Sequence, residues 1–344
     1  MLGESDVKRA QLKGYLFEVL VLELLRKNGF EVVDTDNEPD NRIKEERKGF
    51  IEFRGRGSWH QIDCPCDYKY QLPFTYPLRL LGEVKFHKNA ISKKYIREYI
   101  GVLKDIKENY YSDDENDISN HYQRRMEFGV FFSANGFQVE AEKLAYAHGI
   151  KTISYKNNHL VNKLKKLLEK LEENYLSVEL LSNGRWNSFQ EDFIEHIRYG
   201  ISNYQPISFL DDYTGYIELI DNIFWSLNNI KTSIIASTAT GVFLHFISEA
   251  EFPIDLFVET DSRDCEVYYD QQRKLFWLQI SGDIEERRFF FTPPMGLKEA
   301  ALYGTSNVLN EKERIFKEIR FSVEIGGMLR NLSLRINQDW LNSY

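Results

Sequence analysis

The feature that most constrains this chain is the run Arg79 to Phe86, RLLGEVKF. It reads as a strand covered on both faces, yet it carries a glutamate and a lysine. Side chains two apart on a strand share a face, so Glu83 and Lys85 point one way and Val84 the other. A charged pair on one face of an apolar strand is costly to bury unless other groups pair with it. Candidate partners stand earlier in the chain. Asp63 ends the stretch His60-Gln61-Ile62-Asp63, with Gln61 on its face, and Glu18 lies within a very apolar helical stretch.

The pattern along the chain places these residues on elements. Leu12 to Asn28 reads as a helix stopped by Asn28-Gly29, and Phe30 to Val33 as a short strand. Asp34 to Lys48 is highly charged and reads as an exposed loop. Phe50–Phe53 and Trp59–Cys64 read as two strands joined by Arg54-Gly55-Arg56-Gly57. Ser92 to Lys107 has the period of an amphipathic helix, with Ile96, Ile100, Leu103 and Ile106 on one side. Tyr110 to Tyr122 is polar and loop-like. A strand at Phe128–Ser133, a helix at Gln138–His148 and a strand at Ile150–Tyr155 make a βαβ unit, which implies a parallel pair. The first domain is therefore expected to be α/β, a mixed sheet flanked by helices.

Beyond it, Leu160 to Asn174 reads as a connecting helix and Ser182-Asn183-Gly184 as a linker. Helices follow at Phe189–Tyr199 and Tyr213–Leu227. Then come the short alternating runs SIIAS, VFLHFI, IDLFVE, CEVYY, LFWLQI and RFFFT, the pattern of an antiparallel sandwich or small barrel. A helix near Asn310–Ile319 and a strand near Leu329–Ile336 end the chain. The expected division is 1–158, a connecting segment 159–184, and a mostly β (α+β) C-terminal domain 185–344. The aromatics of that last domain (Phe276, Trp277 and Phe289 among them) are expected to fill its core.

Composition narrows the class. The 344 residues suffice for two domains, and 42% hydrophobic with 28% charged residues is a folded, soluble composition. The polar start MLGESDVKRAQLKG has no apolar signal core, and the run Val19–Leu25, broken by Glu23, is too short to span a bilayer. A cytoplasmic protein with no membrane partner is expected. Cys64, Cys66 and Cys265 make neither a disulfide framework nor a four-ligand zinc site, so reduced thiols are expected. The net charge of −9 is uneven. Arg42 to Lys107 holds 15 Lys and Arg against 8 Asp and Glu, whereas Lys156 to the C-terminus holds 20 against 28. A basic first half and an acidic second half place any phosphate-binding surface in the first.

If the strands of Asp63 and Glu83 are neighbours, their carboxylates and Lys85 converge. Two carboxylates at one spot repel unless a cation lies between them, and hard oxygen ligands select Mg²⁺, with Mn²⁺ as a substitute. Such an ion lowers the pKa of a bound water and neutralises a phosphoryl group, and a nearby lysine can orient or deprotonate that water. In this order, Gly14-x-x-Phe17-Glu18, Gln61-Ile62-Asp63 and Gly82-Glu83-Val84-Lys85 resemble the PD-(D/E)xK nuclease superfamily, above all its Mrr-type restriction-endonuclease branch. Gly129 to Ser133, Gly136-Phe137, Ala141, Ala145 and Gly149-Ile150 extend the resemblance over Lys13 to Tyr155. It departs at Cys64-Pro65-Cys66 and in the long stretch from Asp67 to Pro77.

The resemblance implies a restriction-endonuclease-like fold, metal ligation by Asp63 and Glu83, a catalytic Lys85, a supporting helix-borne Glu18 and a polar companion in Gln61. It implies a Mg²⁺-dependent endonuclease on double-stranded DNA, acting as a homodimer or larger homo-oligomer in defence against foreign DNA. Arg54 and Arg56 in their glycine loop, and Lys88, Lys93 and Lys94 around a helix start, are candidate phosphate contacts. Plainer readings stand beside these: Glu18 paired with Lys13 or Lys48, Glu83 and Lys85 as a structural ion pair, and the arginine loop and lysines as solvated surface. Two other functional readings remain: a catalytically idle DNA- or RNA-binding module, and a nuclease switched on by a ligand or protein at the C-terminal domain.

Overall fold

The structure is a computed structural model that describes residues 4–33, 35, 42–47, 50–71, 74–108, 124–175, 185–200, 213–270, 272–293 and 313–342. The predicted loop at 110–122 and the linker at 182–184 lie outside the described residues.

Helix α1 (Glu4–Arg26) ends where Asn28 N–H bonds Leu25 O (2.9 Å) and Gly29 takes φ +80°. That left-handed residue turns the chain into β1 (Phe30–Val32). The central sheet also contains β5 (Cys64–Tyr68), β6 (Leu78–Lys85), β7 (Met126–Ser133) and β8 (Lys151–Ser154), in the order β1-β5-β6-β7-β8. The pairs β1–β5 and β5–β6 are antiparallel; β7–β8 is parallel, as the strand–helix–strand spacing predicts, and so is β6–β7. Alternation on β6 sorts the two faces. Leu80 and Val84 pack with α1 and α4 (His159–Tyr175). Leu81 packs with α2 (Lys93–Lys107) and α3 (Val139–Ala147).

Several expectations are corrected. The charged segment before Phe50 is no simple loop: β2 (Ile43–Arg47), β3 (Phe50–Arg54) and β4 (Trp59–Gln61) form a separate three-stranded sheet. Charge periodicity hid β2, whose Lys44 pairs with Glu52 across the strands (2.8 Å) and lies over the Trp59 ring. The predicted strand Trp59–Cys64 is two strands of two sheets, β4 and β5, with a bend at Asp63. Second, Tyr99 takes the buried place that periodicity assigned to Ile100. Third, α4 is no spacer. Leu160, Val161, Leu164, Leu168 and Leu171 are all buried in the main core, and each such side chain contributes about 1.5–3 kcal/mol. Helices α5 (Arg185–Tyr199) and α6 (Tyr213–Asn228) join that core, so the second half reaches into the first. IDLFVE also holds a 3₁₀ turn (Ile254–Phe257), which starts directly after Pro253.

The remaining strands close a seven-stranded barrel in the order β10-β13-β12-β11-β15-β14-β9. Their ranges are β9 (Thr232–Thr238), β10 (Phe243–Ser248), β11 (Ser262–Asp270), β12 (Leu275–Ile280), β13 (Phe289–Phe291), β14 (Ile319–Ile325) and β15 (Met328–Ile336). Its neighbours are antiparallel except β11–β15. Phe276, Phe289 and Phe291 fill it as expected, together with Phe246 and Phe321, whereas Trp277 lies outside this core, Phe224 and Phe290 pack against the other core, and Trp225 is exposed on α6. A short helix, α7 (Gln338–Asn342), follows. The three cysteines are buried and free. No helix among the described residues is long and apolar enough to cross a membrane.

Tyr99 joins the helix layer to the sheet. Its hydroxyl donates to Leu81 O and accepts from Val130 N–H (3.1 Å), bridging β6 and β7 beneath α2. Gly129 leaves the room: a Cβ there would lie 2.3 Å from Leu103 Cδ1 and 3.2 Å from the Tyr99 hydroxyl. Tyr99→Phe strands a buried donor and acceptor at once, so urea unfolding should show a loss of about 1–3 kcal/mol. A loss below a few tenths would show that the hydroxyl bridge is idle.

Candidate active site

The β5–β6 seam determines the site. Cys64 stands opposite Gly82, and a Cβ on Gly82 would meet Cys64 Cβ at 2.7 Å and Cys64 O at 2.8 Å. Only glycine permits this approach, and it brings the bend at Asp63 against the Glu83–Lys85 segment. One oxygen of Asp63, Oδ2, accepts from Val84 N–H (3.0 Å) and from Lys85 Nζ (3.0 Å). Lys85 Nζ also contacts Glu83 Oε1 at 2.5 Å. The ammonium therefore sits between the two carboxylates, and all three side chains are only partly covered, at 11% (Asp63), 22% (Glu83) and 27% (Lys85) exposure.

Glu18 reaches the same place from α1. Its carboxyl is pushed well above the ordinary range by burial, then by Asp63 and Glu83, with Lys85 pulling the other way. The pairing of Glu18 with Lys13 fails, since Lys13 binds Glu172 (2.8 Å); Lys48 lies outside the described residues. Glu83 is raised to about 7 by burial and then by Asp63, against the pull of Lys85. Burial works against the Lys85 ammonium, but Asp63 and Glu83 outweigh it and hold its pKa above the ordinary lysine value. Three carboxylates thus share one ammonium, and the cluster has more negative charge than it can neutralise. Oxygen donors with surplus negative charge fit a hard divalent cation. As the side chains stand, no three His, Cys, Asp or Glu groups among the described residues close around a single ion. Lys85 holds the position between Asp63 and Glu83.

The other predicted residues distribute differently. Gln61 is exposed on β4 opposite Glu52, and among the described residues no hydrogen bond ties it to Asp63, Glu83 or Lys85. The shared face with Asp63 is lost because the strand breaks between them, where Ile62 N–H bonds Ile51 O (3.1 Å). In the arginine loop, Gly57 N–H donates to the Asp105 carboxylate (3.2 Å), which also bonds His60 Nε2 (2.8 Å). The loop's cradle is thus filled by a carboxylate of α2, whose acidity is strengthened by the His60 bond first and the Gly57 amide second. Arg56 pairs with Glu108 (2.8 Å), and Arg54 is exposed.

Lys88 lines a cleft of about 430 Å³ with His87, Ser92, Tyr95 and Gln138, next along the chain after Lys85. The first turn of α2 opens there, and Ser92 makes no side-chain cap bond to it. Lys93 and Lys94 are exposed and lean on Glu140 (3.6 Å) and Glu98 (3.8 Å). Sequence reasoning missed Tyr99, Asp105 and the close approach at Gly82. The one available signal was the glycine immediately before Glu83.

No family model and no curated protein matches the chain. A solved structure titled "Crystal Structure of Protein of Unknown Function AF1548" is 15% identical, covers 61% of this chain and 98% of its own, and superposes with a TM-score of 0.33. A likeness that slight bears on neither fold nor function.

The raised Glu83 has a measurable consequence. A carboxyl whose folded pKa (about 7) exceeds its unfolded value (4.5) favours the fold fully below pH 4.5, and that contribution is lost as pH rises through 7. In EDTA, wild type should therefore lose melting temperature relative to Glu83→Gln between pH 4.5 and 7. Parallel curves over that window would contradict the charge crowding described.

Proposed function

We propose that the chain is a metal-dependent nuclease that hydrolyses DNA phosphodiester bonds. The observation that carries this reading is the meeting of Glu18, Asp63 and Glu83 around Lys85 at one end of β6. On this reading the mixed sheet and its two helix layers form a restriction-endonuclease-like domain, and the resemblance of Glu18, Asp63 and Gly82 to Lys85 to the PD-(D/E)xK pattern supports it.

Asp63 and Glu83 would hold Mg²⁺ or Mn²⁺, with Glu18 adding negative charge behind them. The ion, when bound, would lower the pKa of an attacking water and screen charge on the phosphoryl group. Lys85 would then leave its present carboxylate partners, orient the attacking water and stabilise charge developing on phosphate oxygens. Glu83, at about 7, is ionised only near neutral pH and above, so metal uptake should release a proton below pH 7. On this reading Lys88 and the open first turn of α2, which border one cleft, would receive the adjacent backbone phosphate of the DNA. A homodimer would cut both strands, and defence against foreign DNA is the biological setting proposed.

The test is cleavage of supercoiled plasmid and linear phage DNA with Mg²⁺, Mn²⁺ or EDTA. Wild type should nick with either metal and not in EDTA, with a rate rising through about pH 7. Lys85→Ala should lower the rate by about 100-fold or more, and Glu18→Gln by less. A wild type equal to Lys85→Ala on every substrate would reduce the reading to an idle nucleic-acid-binding fold.

A further inference from the structure

A second concave site lies at the other end of the sheet, where the barrel meets it. The cleft has a volume of about 340 Å³, the size of a small-ligand pocket. One wall is the turn after α1 (Arg26 to Gly29) with Tyr68 to Tyr70 at the end of β5. The other is the barrel, from Lys231 to Ile234 and from Ser322 to Glu324. It lies apart from the acidic cluster, since Tyr68 pairs with Phe30 at the sheet end opposite Glu83.

The charge in this cleft is unusual for so acidic a chain. Arg26, Lys27, Lys69 and Lys231 line it against only Glu251 and Glu324. Lys69 is already held by Glu324 (2.6 Å), which also bonds the Tyr70 hydroxyl, and Arg26 leans on Glu23 (3.2 Å). The other two cations are not neutralised in this way. Lys27 donates to the carbonyls of Leu227 (2.8 Å) and Ile230 (2.7 Å) at the end of α6 and makes no ion pair with a carboxylate among the described residues. Burial and then the Lys231 ammonium, opposed more weakly by Glu23, push Lys27 down to about 8. Lys231 is exposed and makes no ion pair with a carboxylate among the described residues. Two like charges lining one concavity, with no carboxylate paired to either among the described residues, ask for an anion.

We propose that this cleft binds a small molecule carrying a phosphate group, seated between Lys27 and Lys231 and touching both the α1 turn and the barrel. A tetrahedral dianion there neutralises both ammonium groups at once, which no carboxylate among the described residues does. The site is independent of the nuclease reading, because none of its residues belongs to the acidic cluster. Its occupant would bridge the two halves of the molecule, and a ligand that binds only the joined form stabilises it by mass action.

The experiment is calorimetric titration of the full chain with inorganic phosphate, with adenosine monophosphate and with adenosine, beside melting curves at the same concentrations. Both phosphate compounds should bind and raise the melting temperature, and adenosine should do neither. Lys231→Glu, an exposed position whose change leaves packing intact, should weaken binding by about tenfold or more. Glu324→Gln removes the carboxylate that holds Lys69 and should tighten it. Absence of binding by both anions, binding of adenosine as tight as its monophosphate, or unchanged affinity in Lys231→Glu would each overturn the proposal.

Discussion

Between Cys64 and Gly82 there is no space for a methyl group, and the arrangement of the acidic cluster depends on that contact. The close seam lets one Asp63 oxygen reach both the Val84 amide and the Lys85 ammonium. Asp63 therefore sits at a bend between two sheets and yet is held by a backbone group of the central one. From there the charge logic follows. Glu83 and Lys85 share a face because a strand alternates, Glu18 arrives from the helix covering the other face, and burial sharpens every interaction among them.

The two halves of the molecule are not beads on a string. Ser233 Oγ donates to Leu24 O (2.8 Å), a carbonyl freed because the last turn of α1 tightens, and Ile235 N–H donates to Asn28 Oδ1 (3.2 Å). The buried His245 completes this joint. Burial drops it to about 3, so it is neutral, accepting at Nδ1 from the Tyr155 hydroxyl (3.0 Å) and donating from Nε2 to Ser233 (2.8 Å). One chain of hydrogen bonds thus runs from the end of β8 through the barrel to the helix that carries Glu18. A buried polar chain with every member satisfied favours one docking geometry over its neighbours.

Much of this was legible in the residues. The helix at α1, the β7–α3–β8 unit, the split between a mixed sheet and a later β-rich half, and the grouping of Glu83 with Lys85 all follow from local periodicity, which backbone geometry enforces over a few residues. The failures have equally local causes. β2 was concealed because its residues are mostly charged, and the cross-strand pair of Lys44 with Glu52 of β3 could not be read from the run itself. The α4 leucines showed an apolar stripe but not what it would cover. Gln61 was grouped with Asp63 by counting along one strand, and no local signal announced that the strand would break at Ile62.

The sequence by itself determined which charged residues stand out against apolar elements and that Glu83 and Lys85 share a face, because those depend on the spacing of neighbours in the chain. Tertiary structure alone decided how the pieces meet. It brought Glu18 to Asp63 across 45 positions, filled the arginine loop with Asp105, drew α4, α5 and α6 into the first core, and set Lys27 beside Lys231. These are contacts between residues far apart in sequence. Close packing and the demand that buried polar groups be paired settle them, and neither can be evaluated until the whole chain is folded.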